Sequence, residues 1–284
     1  MSASPPSADL GRDFRRRHRS DAPFFLIMGG LSAGYVLLIV LLIAADLMFT
    51  SVAEFTAALA KPEIQQAIYL TLLTCTLAAI ASQWVGVAMG YVLSRYRFPG
   101  RWLVDTLIDI PIVLPPLVLG LSLLILFHLP IGGWVLEDWL RDDVNFPVTY
   151  CWPAVVLAQF SVSCAFAVRT MRVTFDQINP RAEEVARTLG CSRGQAFFHV
   201  ALPQAWRGVI AATTIAWARA LGEFGPILVF AGATRMKTEV LSTTVFLELS
   251  IGNLDAAVAV SLLMVAMAVV VLLFLRFVGA GLTS

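Results

Sequence analysis

Six long apolar stretches constrain what this chain can fold into. They cover residues 24–45, 67–93, 103–127, 152–170, 209–231 and 256–278, and each approaches or exceeds the roughly 20 residues that a helix needs to cross a bilayer. They are too long and too continuously apolar for barrel strands, which alternate over about ten residues. Hydrophobic residues make up 58% of the chain and charged residues only 14%. The sequence therefore predicts an all-α membrane protein, a polytopic bundle of six transmembrane helices.

Lysines and arginines are distributed unevenly between these stretches. Fifteen of the 20 lie in the N-terminal tail, the 94–102 turn, the 169–208 connection and the C-terminal end; four lie in the other connections, and Arg219 lies inside a stretch. This bias predicts a multi-pass protein of the plasma (inner) membrane with both termini in the cytoplasm. The first stretch is too long for a signal-peptide core and is predicted to be a retained span. Residues 1–22 are predicted to form a disordered cytoplasmic tail.

No catalytic, cofactor or metal site is predicted within the chain itself. Neither of its two lysines, Lys61 and Lys237, lies in a phosphate-binding Gly-x4-Gly-Lys-Ser/Thr loop. Residues 30–34 match the Gly-x-Ser-x-Gly nucleophile elbow, but Ser32 lies in an apolar helical run without a histidine base, so these glycines indicate close helix packing. Three scattered histidines and four cysteines without CxxC spacing predict no zinc site and no disulfide.

A polar insert, residues 179–203, separates the fourth and fifth apolar stretches. Asn179 can cap a helix that is predicted over 180–189, and Gly190 supplies its left-handed stop. One face of this helix carries an apolar stripe, and most of the remaining surface is polar or charged. The stripe consists of Ala182, Val185, Ala186 and Leu189.

A second short helix is predicted after Ser192, because Ser192 and Gln195 have the spacing of a capping box. Two short helices joined by a tight turn could pack under their own bundle or fit a groove in a separate protein, and periodicity alone does not decide between these. The pair also resembles a DNA-binding helix-turn-helix. Its second helix, however, offers Phe197, Phe198 and Val200 rather than base-reading side chains.

The insert resembles the cytoplasmic signature of the permease subunits of binding-protein-dependent ABC importers. That signature is Glu-Ala-Ala, three residues, Gly, nine residues and Ile-x-Leu-Pro. This chain keeps the whole spacing, with Glu184-Val185-Ala186, Gly190 and Val200-Ala201-Leu202-Pro203. The resemblance implies that the insert docks in a cleft of an ATPase subunit. The residues it assigns to this ATPase-coupling segment are Glu184, Ala186, Gly190, Val200, Leu202 and Pro203.

The same resemblance implies an ABC importer type I transmembrane domain. Residues 23–62 would form the first transmembrane helix and an outer loop, and residues 63–278 a type-1 permease domain with the coupling segment at 179–203. The implied partners are cytoplasmic ABC ATPase subunits, an extracytoplasmic substrate-binding protein, a second permease chain (a copy or a homologue) and membrane lipid, but no nucleic acid. ATP and Mg²⁺ would be bound by the ATPase, and no cofactor by this chain.

Two further stretches resemble the molybdate, tungstate and sulfate permeases: "DIPIVLPPLVLG" at 109–120 and "ARALGEFGPILVFAG" at 218–232. The first contains three prolines, which predict a kinked or broken third span. The resemblance implies import of an oxyanion. Polyamine, iron and thiamine permeases share parts of these stretches and provide an alternative, and a membrane-anchored helix-turn-helix regulator is the alternative from a different class.

Arg219 and Glu223 lie four residues apart inside the fifth stretch. Ionisable groups within a span are costly and usually face a cavity or each other, and this spacing lets them pair on a helix. A structural ion pair is favoured here over direct contact with a substrate in the pore.

The outer connection at 128–150 combines four acidic residues, among them Glu137, with Trp134 and Trp139. This composition predicts either a helix at the membrane interface or a docking rim for an external partner.

Overall fold

The computed structural model describes residues 22–130 and 132–281, and every regular element in these residues is a helix. This confirms the all-α fold class. Contacts within the chain separate the residues up to Ser51 from those that begin at Val52. Of the predicted cytoplasmic tail, residues 1–21 lie outside the described residues.

The first unit contains the helix α1 (Ala22–Phe49), whose 28 residues extend about 42 Å at 1.5 Å per residue. This length exceeds the roughly 30 Å of a hydrocarbon core. Apolar side chains are exposed along the helix, for example Leu26 at 75% and Met48 at 88%. A helix that is apolar on every side is typical of a membrane span, which is the role predicted for residues 24–45.

The second unit consists of several long helices and a larger number of short ones. Before the insert lie α2 (Val52–Leu59), α3 (Pro62–Arg95), α4 (Arg101–Val113), α5 (Pro116–His128), α6 (Leu136–Asp142) and α7 (Trp152–Gln177). The insert contains α8 (Arg181–Thr188), α9 (Arg193–Ala196), a π-helix (Phe197–Ala201) and α10 (Leu202–Gln204). The chain continues with α11 (Trp206–Leu221), α12 (Gly225–Phe230), α13 (Leu241–Ser250) and α14 (Leu254–Gly281).

Helices α3 and α7 pack closely because small residues line their contact. Gly86 and Gly90, one turn apart, face α7, and a Cβ atom on Gly90 would stand only 2.7 Å from the Cβ of Met171. In the same contact the hydroxyl oxygens of Ser82 and Ser163 lie 2.9 Å apart. Small residues spaced in this way let helix backbones approach each other. Helix α11 then packs on both through further small residues.

The third apolar stretch is broken, as its prolines predict. Helices α4 and α5 are bent by 114° across the break. Pro115 and Pro116 have no N–H to donate to the carbonyls one turn earlier, so a continuous helix is not available to this sequence.

Two ion pairs join α4 to α7. Asp105 Oδ1 lies 2.7 Å from Arg172 Nη1, and Asp109 Oδ2 lies 2.8 Å from Arg169 Nη2. Helix α7 continues to Gln177, beyond the predicted end of the fourth stretch at residue 170. Both arginines of the predicted 169–208 connection therefore lie on this helix, where they pair with α4.

The fifth stretch is not one helix. Helix α11 ends at Leu221, and α12 begins at Gly225. Pro226 cannot donate a hydrogen bond to the carbonyl of Gly222, which stops the helix from continuing. The two breaks are neighbours, since a Cβ atom on Gly225 would stand 2.9 Å from the Cβ of Pro116.

The division of the fifth stretch affects the number of helices that can span a membrane, which was predicted to be six. Among the described residues, four helices are long and apolar enough to cross a membrane, namely α1, α3, α7 and α14, and α4 with α5 makes a fifth if the bent pair is one span. The count of six is not confirmed, because the break leaves α11 with only 16 residues.

The outer connection folds around one of its own carboxylates. Glu137 is 1% exposed and accepts the backbone N–H groups of Val148 and Thr149 at 3.3 and 3.2 Å. Assigning Glu137 to an acidic surface is wrong, because its charge is used to hold this loop together. Three other acidic side chains of the connection are exposed, namely Asp138, Asp142 and Asp143.

The Gly90 contact can be tested by substitution. Gly90→Leu should destabilise the bundle by about 3 kcal/mol, because the added side chain forces α3 away from α7. The matched control is Gly34→Leu in α1, where a Cβ atom meets nothing within 4 Å. Thermal unfolding of the purified chain in detergent measures the difference, and equal melting temperatures for the two variants would contradict the proposed packing.

Candidate coupling site

Helix α8 begins and ends within one residue of its predicted bounds. Asn179 Oδ1 accepts the backbone N–H of Arg181 at 3.0 Å and so satisfies a donor of the first turn. At the other end the N–H of Cys191 donates to the carbonyl of Ala186 at 3.1 Å. This type of helix end requires a left-handed residue, and Gly190 has a φ of 97°. The predicted cap and stop are confirmed.

Ser192 caps the start of α9 with the predicted capping box. Its Oγ accepts the Gln195 N–H at 3.2 Å, and Gln195 Oε1 accepts the Ser192 N–H at 2.8 Å. Helix α9 has only four residues and continues directly into the π-helix. The wider π turn is a feature that a 3.6-residue periodicity does not predict.

A nearly buried ion pair fastens the insert to the bundle. Arg95, the last residue of α3, donates from Nε to Glu183 Oε1 at 2.8 Å, and Tyr91 Oη donates to Glu183 Oε2 at 2.7 Å. The same guanidinium donates to the carbonyls of Phe175 at 2.9 Å and Ile178 at 3.1 Å. Arg95 thus satisfies two carbonyls at the end of α7 and a carboxylate of α8 together. We call this arrangement the Arg95 clasp.

The clasp is shielded from solvent, since the Arg95 and Glu183 side chains are 12% and 10% exposed. Removing one member of such a pair is costly because the other charge stays buried without its partner. The signature assigns the neighbouring Glu184 to the coupling segment, whereas neither Arg95 nor Glu183 is predicted from the sequence as a site residue.

An aromatic contact holds the second half of the insert. The ring centroid of Phe197 lies 4.6 Å from that of Tyr91 and 6.3 Å from that of Phe175. Ala201 and Ala205 are fully buried beside these rings. The insert is therefore fixed to α3 and α7 at both of its ends.

The outer surface of the insert keeps apolar side chains exposed. Val185 is 57% and Leu189 81% exposed, so part of the predicted apolar stripe faces away from the bundle and suits a groove in another protein. No atom lies within 4 Å of a Cβ built on Gly190, so its φ is what requires glycine. Of the signature residues, Glu184, Gly190 and Pro203 are exposed and Ala186, Val200 and Leu202 are half-buried.

The insert does not present a free recognition helix. The turns after α9 are packed on the bundle through Phe197 and Ala201. A helix that reads DNA needs side chains that can enter a groove of the duplex. This packing disfavours the helix-turn-helix regulator.

Arg219 and Glu223 form the predicted ion pair. Arg219 Nη1 lies 2.5 Å from Glu223 Oε1, and the two side chains are 32% and 1% exposed. The guanidinium also lies over the ring of Phe166, at 5.8 Å from its centroid. Glu223 sits in the break between α11 and α12, where its backbone carbonyl accepts the Ser242 hydroxyl at 2.7 Å. Pairing thus accounts for the two charges inside the fifth stretch.

Most of the chain matches a known protein family. Residues 83–283 match the family of the binding-protein-dependent transport system inner membrane component. The matched region contains α7, the insert and the Arg219–Glu223 pair. The chain belongs to this family. It is therefore a multi-pass inner membrane component of an ABC importer, as the signature implies.

Curated relatives of this transport component are permease proteins. The chain is 35% identical over 254 residues to the sulfate transport system permease protein CysT of Escherichia coli (strain K12), covering 88% of this chain and 90% of the relative. It is 30% identical over 249 residues to CysW of the same organism, covering 84% and 83%. The molybdenum transport system permease protein ModB of that organism is 32% identical over 209 residues, covering 73% and 90%.

Solved structures of ABC transporters share the fold of this inner membrane component. A bacterial alginate ABC transporter in complex with its alginate pentasaccharide-bound periplasmic protein has a TM-score of 0.74 at 18% identity, covering 95% of this chain and 98% of that chain. The MetNI methionine ABC transporter, in an inward-facing conformation, has a TM-score of 0.57 at 18% identity, covering 77% and 94%. The fold is that of an ABC importer transmembrane domain.

The clasp of this permease can be tested by Glu183→Gln. The loss of one charge-assisted hydrogen-bond pair should cost about 2 kcal/mol locally, which corresponds to roughly 30-fold faster amide exchange in α8. Glu184→Gln, at the adjacent exposed position, is the matched control and should leave exchange unchanged. Hydrogen exchange with mass spectrometry on the purified chain reports both variants, and equal protection in the two would refute the anchoring role of Glu183.

Proposed function

We propose that the chain is the permease subunit of an ATP-driven importer for a tetrahedral oxyanion: sulfate, molybdate or tungstate. The observation that carries this proposal is the 35% identity to a sulfate permease across 88% of the chain, supported by 32% identity to a molybdenum permease. Polyamine, iron or thiamine import is the competing assignment, and it rests only on shared parts of two sequence stretches.

ATP hydrolysis belongs, in this proposal, to a separate subunit that binds ATP and Mg²⁺, so the chain is not itself an enzyme. The binding protein delivers the anion from the outer side, and both termini and the insert lie in the cytoplasm. One permease chain supplies half of the pathway. The two different sulfate permeases among the relatives, CysT and CysW of one organism, support pairing with a homologous permease, and a second copy of this chain is the alternative.

Motion would pass from the ATPase to the pathway through the insert. The exposed Val185 of α8 and Leu189, which directly follows the helix, offer the surface that docks, with Glu184 beside them. The Arg95 clasp ties α8 to the ends of both α3 and α7. A displacement of α8 therefore moves two packed helices together and tilts the bundle between inward-open and outward-open states.

The Arg219–Glu223 pair has a structural role in this scheme. Glu223 neutralises the arginine, while the exposed third of the Arg219 side chain keeps some positive potential beside the helix break. Weak attraction is sufficient for an anion pathway, because tight binding inside the pore would slow release. Selection of the anion then rests with the binding protein.

The substrate is tested by uptake in a host that lacks its own sulfate and molybdate transport. The permease, its ATPase and its binding protein are expressed together, and radiolabelled sulfate is supplied. We expect ATP-dependent accumulation that excess molybdate or tungstate reduces and that spermidine, ferric iron or thiamine leaves unchanged. An ATPase mutated in its phosphate-binding lysine is the control. Uptake of one of the other solutes in place of the oxyanions would overturn the assignment.

Coupling is tested separately through Cys191, which is exposed in the turn after α8. The other three cysteines are replaced by serine, and the variant is expressed with the ATPase. We expect cross-linking from Cys191 to the ATPase that depends on nucleotide, because α8 lies in the ATPase cleft. Asp143→Cys in a background without Cys191 is the control and should give no such product. Folded complex without a Cys191 cross-link in any nucleotide state would contradict docking at this site.

A further inference from the structure

A buried carboxyl group stands without a partner in the connection between α12 and α13. Glu239 is 2% exposed, and within the described residues its Oε2 atom has no hydrogen-bond partner. The residue lies outside the apolar stretches, in the connection that carries Arg235 and Lys237. In the predicted orientation this connection is on the outer side of the membrane. Neither the insert nor the Arg219–Glu223 pair accounts for this group.

The guanidinium of the same connection is engaged with a different carboxylate. Arg235 donates from Nη2 to Glu248 Oε1 at 2.9 Å, and Asn253 donates from Nδ2 to Glu248 Oε2 at 2.8 Å. Glu248 is itself 4% exposed, so its charge requires this pairing. The pair is neutral as a whole and leaves little positive charge to compensate an ionised Glu239.

Three charged side chains of the described residues act on Glu239, and two of them are negative. Glu248 belongs to α13 and Glu63 to the first turn of α3, while Arg235 supplies the positive charge. Burial raises the pKa of Glu239 above its ordinary value of 4.5, and this effect exceeds the opposing ones of the Thr244 hydroxyl and Arg235. A carboxyl group buried in this way is less costly as the neutral acid than as the anion.

The start of α13 is fastened directly after Glu239. The N–H of Leu241 donates to Thr71 Oγ1 of α3 at 2.9 Å, and the Ser242 hydroxyl donates to the Glu223 carbonyl in the break of the fifth stretch at 2.7 Å. The Leu241 side chain is fully buried among residues of α3 and α14. A charge on Glu239 can therefore reach water only if the start of α13 moves away from α3.

We propose that Glu239 is a proton-binding site and that its protonated carboxyl group keeps the start of α13 packed on α3. When the proton leaves, the carboxylate is stable only where water reaches it, so the connection opens at α13 and releases its contact with the Glu223 carbonyl. The ligand is the proton itself, exchanged with the outer solution. The site does not depend on which anion the permease transports.

The packed connection binds more protons than the open one. In the open connection Glu239 titrates near its ordinary value of 4.5, whereas in the packed connection its pKa is raised. The packing of α13 is therefore fully stabilised below the ordinary value and weakens as the pH rises towards the raised pKa. Within this window the opening equilibrium changes by up to about tenfold per pH unit.

The proton is tested by infrared spectroscopy on the purified full-length chain in lipid nanodiscs at about pH 6, where an ordinary glutamate is ionised. A protonated carboxylic acid gives a carbonyl band that a carboxylate lacks. Glu239→Gln should reduce this band, and Asp142→Asn, which removes an exposed carboxylate from the other outer connection, should leave it unchanged. Equal bands in these two variants would overturn the proposal.

The effect on packing is tested by hydrogen exchange of α13, corrected for the intrinsic exchange rate and referred to α7. In the unsubstituted chain and in Asp142→Asn we expect protection of α13 to fall by up to about tenfold per pH unit above the ordinary glutamate value. In Glu239→Gln it should stay at its low-pH level, because the amide is neutral at every pH. The same pH dependence in Glu239→Gln as in Asp142→Asn would contradict the proposal.

A second variant decides the question if Glu239→Gln does not fold. Glu63→Gln removes a negative charge that acts on Glu239, so the infrared band should titrate at lower pH and the fall in α13 protection should end at lower pH. Glu239 itself is unchanged in this variant. Titration of the band at the same pH as in the unsubstituted chain would refute the assignment of the proton to Glu239.

Discussion

The close contact between α3 and α7 is the constraint on which the other features depend. Gly86 and Gly90 leave no side-chain volume between the two backbones, so the ends of α3 and α7 must lie side by side. Only at that separation can one guanidinium, that of Arg95, reach the carbonyls of Phe175 and Ile178 together with the carboxylate of Glu183. The packing of two glycines within the bundle thus determines how the insert is held at its end.

Features that depend on local chemistry could be predicted from the sequence. The capping box at Ser192, the stop at Gly190 and the break at Pro115 and Pro116 follow from backbone rules that act over a few residues. The pairing of Arg219 with Glu223 is similarly local, because four residues on a helix bring two side chains to one face. Because the caps and turns of the insert depend on such local rules, prediction and structure agree in more detail there than in the long spans.

Features that depend on contacts between distant residues could not be predicted in this way. Arg95 and Glu183 are 88 residues apart in the chain, and no periodicity relates them. The buried Glu137 is missed similarly, because its partners are backbone groups of a following loop. The fifth stretch is apolar enough to be counted as one span, yet Pro226 divides it. Pro226 is the sequence feature that indicates this break, just as Pro115 and Pro116 indicate the break in the third stretch.

The helices that the Arg95 clasp joins determine how a motion of α8 is transmitted to the bundle. Arg95 joins α8 to α3 and α7, which pack tightly, and among the described residues none of its hydrogen bonds reaches the broken pairs α4–α5 and α11–α12. A force on α8 is therefore delivered to the stiffest part of the bundle, whereas the proline breaks lie together near Pro116 and Gly225. We infer that the packed pair moves as one body and that the breaks take up the change in angle. A displacement of α8 is then transmitted over a long distance, because the close-packed α3–α7 pair moves without deforming. The helix breaks, where backbone hydrogen bonds are already missing, are the points at which the helices change their angle.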